Sequence, residues 1–117
     1  MTIALAVGIA AAASEAKRAT TEIHVGDHGL PSEAYFAPHR PTIHKGDRLT
    51  WIWDSDSVLD HSVKLGDSPK GVKKKDFYSG PRHYPTPDFT ARFRVPGKYK
   101  FFCEFHANMR MTVTVKK

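Results

Sequence analysis

Cysteine occurs once in the 117 residues, which excludes an internal disulfide framework, an all-cysteine zinc site and a cysteine-bridged dinuclear copper centre. The lone thiol is left three roles: buried filler, nucleophile or metal ligand. Acidic residues are also scarce, 12 Asp and Glu against 18 Lys and Arg, so the net charge is +6. The basic residues are spread over apparent strand exteriors rather than interleaved with stacking aromatics, which speaks against nucleic acid as a partner. No apolar run reaches the roughly 20 residues that a membrane-spanning helix needs. A chain of this length forms one compact domain, with no room for two.

The first thirteen residues, Met1 to Ala13, are apolar apart from Thr2, and Ser14-Glu15-Ala16-Lys17-Arg18 then turns polar. Residues 1–16 are expected to be a secretory signal or its apolar remnant, with cleavage after Ala13 or Ala16. Export places the domain, residues 20–117, in the periplasm, at the cell surface or outside the cell. Left uncleaved, the leader would be an anchor, and only then is membrane contact expected.

Beyond the leader the apolar period is two. Arg48 to Trp53 sets Leu49, Trp51 and Trp53 on one face, and His61 to Leu65 aligns His61, Val63 and Leu65. Phe89 to Val95, Lys98 to Cys103 and Met111 to Lys116 alternate in the same way, while Thr21 to Val25 and Thr42 to His44 are shorter candidates. Strands with one wet face are typical of antiparallel sheets. Gly46-Asp47, Gly66-Asp67 and Pro96-Gly97 supply turns, and eight Gly with eight Pro suit a chain that reverses often. The expected fold is all-β, a two-sheet Greek-key sandwich of about seven to eight strands. Gly66 to Pro87 is polar and poorly periodic, an excursion over the surface. Trp51, Trp53, Phe93, Tyr99 and Phe101 belong to the core.

Chemistry concentrates in Cys103-Glu104-Phe105-His106-Ala107-Asn108-Met109, where a thiol, an imidazole and a thioether fall within seven residues on a turn between two strands. Soft sulfur with imidazole selects copper, and two imidazoles, one thiolate and a long axial Met make the blue-copper arrangement. A second imidazole must come from elsewhere, and His61, at one end of the core, is the candidate. His24, His28, His39, His44 and His83 are expected at the surface, without a ligand role.

Pro96-Gly97-Lys98-Tyr99-Lys100-Phe101-Phe102-Cys103-Glu104-Phe105-His106 followed by Met109 resembles the copper-site strand and loop of the cupredoxins. Gly46-Asp47-Arg48-Leu49-Thr50-Trp51 and His61-Ser62-Val63 resemble the central strands of the same family, and the likeness runs from about Ile23 to Lys116. The two-residue spacing between His106 and Met109 is similar to the short loop of amicyanin-type members and shorter than the plastocyanin loop. The resemblance implies one mononuclear type 1 copper held by His61, Cys103, His106 and Met109. If Val113 and Val115 take the family's inward valine places, the axial residue falls at Met109, whereas Met111 has the spacing of the plastocyanin loop.

The implied function is single-electron transfer by Cu(I)/Cu(II) cycling between redox partner proteins, by a monomer that is not itself an enzyme. The alternative is copper storage, delivery or resistance by an exported protein. Three departures from the family bear on the site. Ser62 stands where relatives often carry Asn and reaches less far, Ala107 stands where proline is common, and an unpaired Glu104 would favour Cu(II). The run Lys70, Lys73, Lys74, Lys75 and Arg82 is a solvated face that could steer an acidic docking surface of a partner. By the same likeness Phe105, Ala107 and Asn108 would surround His106 as an apolar patch.

Overall fold

The structure, a computed structural model, describes residues 19–117; the leader expected at 1–16 lies outside the described residues. Eight strands follow in chain order: β1 (Thr20–Gly26), β2 (Tyr35–Ala37), β3 (Thr42–His44), β4 (Arg48–Trp53), β5 (Lys64–Leu65), β6 (Phe89–Arg92), β7 (Gly97–Cys103) and β8 (His106–Lys116). They form two four-stranded sheets, ordered β2-β1-β4-β6 and β3-β8-β7-β5. The expected sandwich is present. No helix among the described residues is long and apolar enough to cross a membrane.

Alternation puts the apolar stripes between the sheets. β4 buries Leu49, Trp51 and Trp53, and β7 buries Tyr99, Phe101 and Cys103. Trp51 sits at the centre, its ring 5.2 Å from Phe101 and 5.6 Å from Phe89. Its indole N–H donates to the Met111 sulfur at 3.3 Å, and the Tyr99 hydroxyl donates to the Val95 carbonyl at 2.6 Å. Both polar tips of these large rings are thereby satisfied. At the start of β7, Gly97 has a φ of 135°, and a Cβ there would lie 2.6 Å from the Pro69 ring, so the turn leaves no room for a side chain.

Several local expectations change. The sheets are mixed rather than purely antiparallel, because β1 runs parallel to β4 and β3 parallel to β8. Those pairs arise where the chain crosses from one sheet to the other and returns. His61 does not open a regular strand: it forms an isolated bridge with Arg82, and Val63 bonds to Ser79 through both its N–H and its C=O. The segment is thus paired with the returning excursion before β5 joins β7. β6 stops at Arg92, since Phe93 turns its backbone to Gly46 and Asp47. β2 was not anticipated; it is three residues long and lies between Pro31 and Pro38. The excursion is also more than surface. Its short 3-10 turn, Lys74–Phe77, drives Phe77 into the core against Phe93, Tyr99 and Phe101.

Candidate metal centre

Strand direction brings the site together. β1, β4 and β7 all end at the same pole of the sandwich, where β8 begins. The parallel β1–β4 pairing sets Val25 against Trp53, so the chain leaving β1 meets the loop leaving β4. That loop delivers His61. Glu104 and Phe105 turn β7 into β8, and register pairs Cys103 with His106 across the turn.

Cys103 Sγ lies 3.5 Å from His106 Nδ1 and 4.0 Å from His61 Nδ1, and the two imidazole rings are 4.9 Å apart between centroids. One donor atom from each residue falls within 4.8 Å of the others. A metal bound trigonally at about 2.3 Å from sulfur and 2.0 Å from nitrogen would put those donors roughly 3.7 Å apart. The spacing fits one ion, and soft sulfur with two imidazoles suits copper. Cys103 and His61 are buried, while His106 is half-buried. The Phe105 N–H donates to the Cys103 sulfur at 3.4 Å, a contact that favours the thiolate.

Met109 and Met111 share the inward face of β8 with Val113 and Val115, and all four are buried. The Met111 sulfur is already engaged by the Trp51 indole in the middle of the core. Met109 is fully buried and stands one inward step nearer the pole.

Ser62 is tighter than its short side chain suggested. It is fully buried, and its hydroxyl accepts the Glu104 N–H at 3.1 Å, tying the His61 segment to the β7–β8 turn. Glu104 is paired as well. The Tyr78 hydroxyl donates to it at 2.7 Å and Lys64 lies 3.5 Å away; together they hold its carboxyl below the ordinary value. The condition under which it would favour Cu(II) is therefore not met.

The residue that sequence reasoning missed is Asp27. It is fully buried, and its Oδ2 lies 2.7 Å from His61 Nε2, on the far side of the ring from the sulfur. Burial alone would raise its carboxyl, but hydrogen bonds from Leu59, Val58, His61 and Gly29 outweigh that and hold it below the usual carboxylate range. Burial pushes the His61 imidazole below its ordinary value against the opposing pull of Asp27, which suits the neutral ring that a metal requires. Nothing in Gly26-Asp27-His28-Gly29 distinguishes Asp27 from an ordinary turn aspartate.

The five other histidines are exposed, as expected. Three of them pair with acids of the loop that precedes His61: His24 with Asp54, His28 with Asp56 and His83 with Asp60. Arg82 leaves the expected basic run. Its guanidinium packs over Trp53 and Phe89 and donates to the carbonyls of Ser79 and Pro87.

The model of the cupredoxin-like domain matches residues 1–115. This chain belongs to the cupredoxin family. It is 29% identical over 115 residues to amicyanin-alpha of Methylorubrum extorquens, covering 98% of this chain and 87% of that one. Over 88 residues it is 30% identical to plastocyanin of Scenedesmus fuscus, covering 69% of this chain and 86% of the relative. Among solved structures, the oxidized plastocyanin of Dryopteris crassirhizoma superposes with a TM-score of 0.68 at 26% identity, over 82% of this cupredoxin and the whole of that chain.

Proposed function

We propose that this cupredoxin holds one copper ion through His61, Cys103, His106 and Met109 and carries single electrons between redox partner proteins. The observation that carries the proposal is the convergence of one thiol and two imidazole nitrogens within 4.8 Å at one pole. When bound, copper supplies a one-electron couple, Cu(I)/Cu(II). The protein's part is to keep the donors still. The paired strands β7 and β8 hold their turn, Ser62 clamps it to the His61 segment, and Asp27 clamps that ring from behind. Donors fixed from so many sides favour a carrier over copper storage or delivery, which needs ligands that open.

Burial of Cys103, His61 and Met109 leaves the half-buried His106 as the electron route and keeps a substrate from the ion, so the reading is a carrier rather than an enzyme. Phe105 is 48% exposed beside His106, and the loops held by Asp27 present Leu30 and Val58, 50% and 58% exposed. An exposed apolar side chain next to the His106 ring suits brief docking, since small contacts release quickly. Asn108 is not part of that surface in the expected way; its amide is turned toward the Ser32 and Ala34 carbonyls. The apolar leader of the sequence supports export.

The deciding experiment is the visible and electron paramagnetic resonance spectrum of the copper-loaded protein. An intense thiolate-to-Cu(II) band with narrow copper hyperfine splitting is expected. A colourless protein that binds only Cu(I) would replace this reading with copper handling.

Met109→Leu is expected to keep the colour and raise the reduction potential, because loss of a weak axial donor disfavours Cu(II). Met111→Leu should leave the spectrum alone and lower stability, by loss of the indole–sulfur contact. Reversed outcomes in voltammetry and thermal melting would transfer the axial role to Met111.

Lys73, Lys74 and Lys75 remain exposed, and they are the basic group that could meet an acidic partner. Charge reversal of all three to Glu should slow electron transfer to an acidic redox protein by roughly tenfold or more at low salt. It should also flatten the dependence on ionic strength. Equal salt slopes for both proteins would exclude steering by this group.

A further inference from the structure

We infer that Asp27 is a positioning residue for the metal centre: its buried carboxylate takes the Nε2–H of His61, fixes the ring with a bare Nδ1 toward the sulfur, and lowers the reduction potential.

The placement comes from the β1–β4 pairing. Asp27 follows β1 directly, and Asp54 follows β4, with the Asp54 N–H bonded to the Val25 carbonyl. The loop from residue 54 to residue 60 must therefore pass over Asp27 before it reaches His61. It does so with its backbone turned inward. Val58 N–H lies 3.1 Å from both carboxylate oxygens, Leu59 N–H donates to Oδ2 at 2.9 Å, and the Ser57 hydroxyl donates to Oδ2 at 3.2 Å. From the other side the Gly29 N–H donates to Oδ1 at 2.6 Å.

Four donors besides the imidazole already point at the two oxygens. Donors converging on both oxygens stabilise the charged carboxylate, which has no proton to give. The group is therefore an acceptor, and the 2.7 Å contact with His61 is an Nε2–H donating to oxygen. Once Nε2 carries the proton, Nδ1 has a free lone pair, and Nδ1 is the atom that faces Cys103. A carboxylate behind a ligating histidine also raises the basicity of the ring. A full negative charge, buried and one ring away from the ion, stabilises the more highly charged Cu(II) over Cu(I).

The potential half of this inference rests on the copper reading; the tautomer half does not. In the metal-free wild-type protein at neutral pH, multiple-bond proton–nitrogen correlation should show His61 protonated at Nε2 and bare at Nδ1. A proton on Nδ1 overturns the inference, whatever metal the site takes. In the copper-loaded protein, Asp27→Asn removes the charge and keeps an oxygen for the imidazole. The ratio of Cu(I) to Cu(II) affinity should rise about tenfold, which for one electron is about 59 mV upward. Ser57→Ala trims one donor from the carboxylate, leaves the pair with His61, and should leave the potential in place. If both variants lower the unfolding midpoint and neither moves the potential, Asp27 is only a staple for the loop and the inference fails. Should Asp27→Asn not fold, the tautomer of the unaltered chain decides alone. Failure of the wild type to bind copper would sink the carrier reading while leaving the tautomer result standing.

Discussion

Cys103→Ser is expected to abolish the intense visible band of the copper-loaded protein. The band needs a thiolate as the electron donor to Cu(II), and a serine hydroxyl stays protonated at neutral pH and offers only a hard oxygen. Size does not confound the test, because serine fits the space of the buried thiol and the Phe105 N–H can turn to its oxygen. Far-ultraviolet circular dichroism should therefore match the wild type. Copper affinity should fall by more than the 10–100-fold typical of losing an outer-shell partner. A variant that keeps the colour would remove Cys103 from the site, and with it the whole functional reading.

The second large effect is on stability. Phe77→Ala should cost about 3–5 kcal/mol, the usual range for emptying a buried phenylalanine site. Phe77 is the plug that the excursion inserts between Phe93, Tyr99 and Phe101, at ring distances of 5.0, 5.6 and 6.2 Å. Those neighbours belong to two rigid segments, β7 and the chain just past the end of β6, so collapse around the gap is limited. The melting temperature of the metal-free protein should drop by about 12 °C or more, at roughly 4 °C or more per kcal/mol for a domain near this size. Metal-free protein is the right sample, because an ion bound only by the folded state adds its own stabilisation. A loss below about 1 kcal/mol would mean that the excursion lies on the core without completing it. The copper spectrum of the variant should persist, since Phe77 touches none of the proposed ligands.

The two experiments probe parts that were unequally visible beforehand. Cys103, His106 and Met109 fall within seven residues, on either side of a short turn, so their spacing alone suggests a shared ion. Phe77 is a single aromatic inside Lys73-Lys74-Lys75-Asp76-Phe77-Tyr78, where neighbouring charges mask it and no period marks an inward face. β2 was hidden for a similar reason: three residues are too few to show alternation. Arg82 looked like one more surface cation, yet packs on Trp53 and Phe89, because a guanidinium can stack on rings while its N–H groups find carbonyls.

Alternation along β4, β7 and β8 determined in advance which side chains are buried, since side chains on a strand point to opposite faces in turn whatever the strand pairs with. The same local logic identified the sulfur and imidazole cluster of the β7–β8 turn. Which strands lie side by side, and in which direction, is set by contacts between residues far apart in the chain, and no local pattern records it. The parallel run of β1 beside β4 was decided there. From that one pairing follow the meeting of Asp27 with the loop of Ser57, Val58 and Leu59, and the carboxylate behind His61.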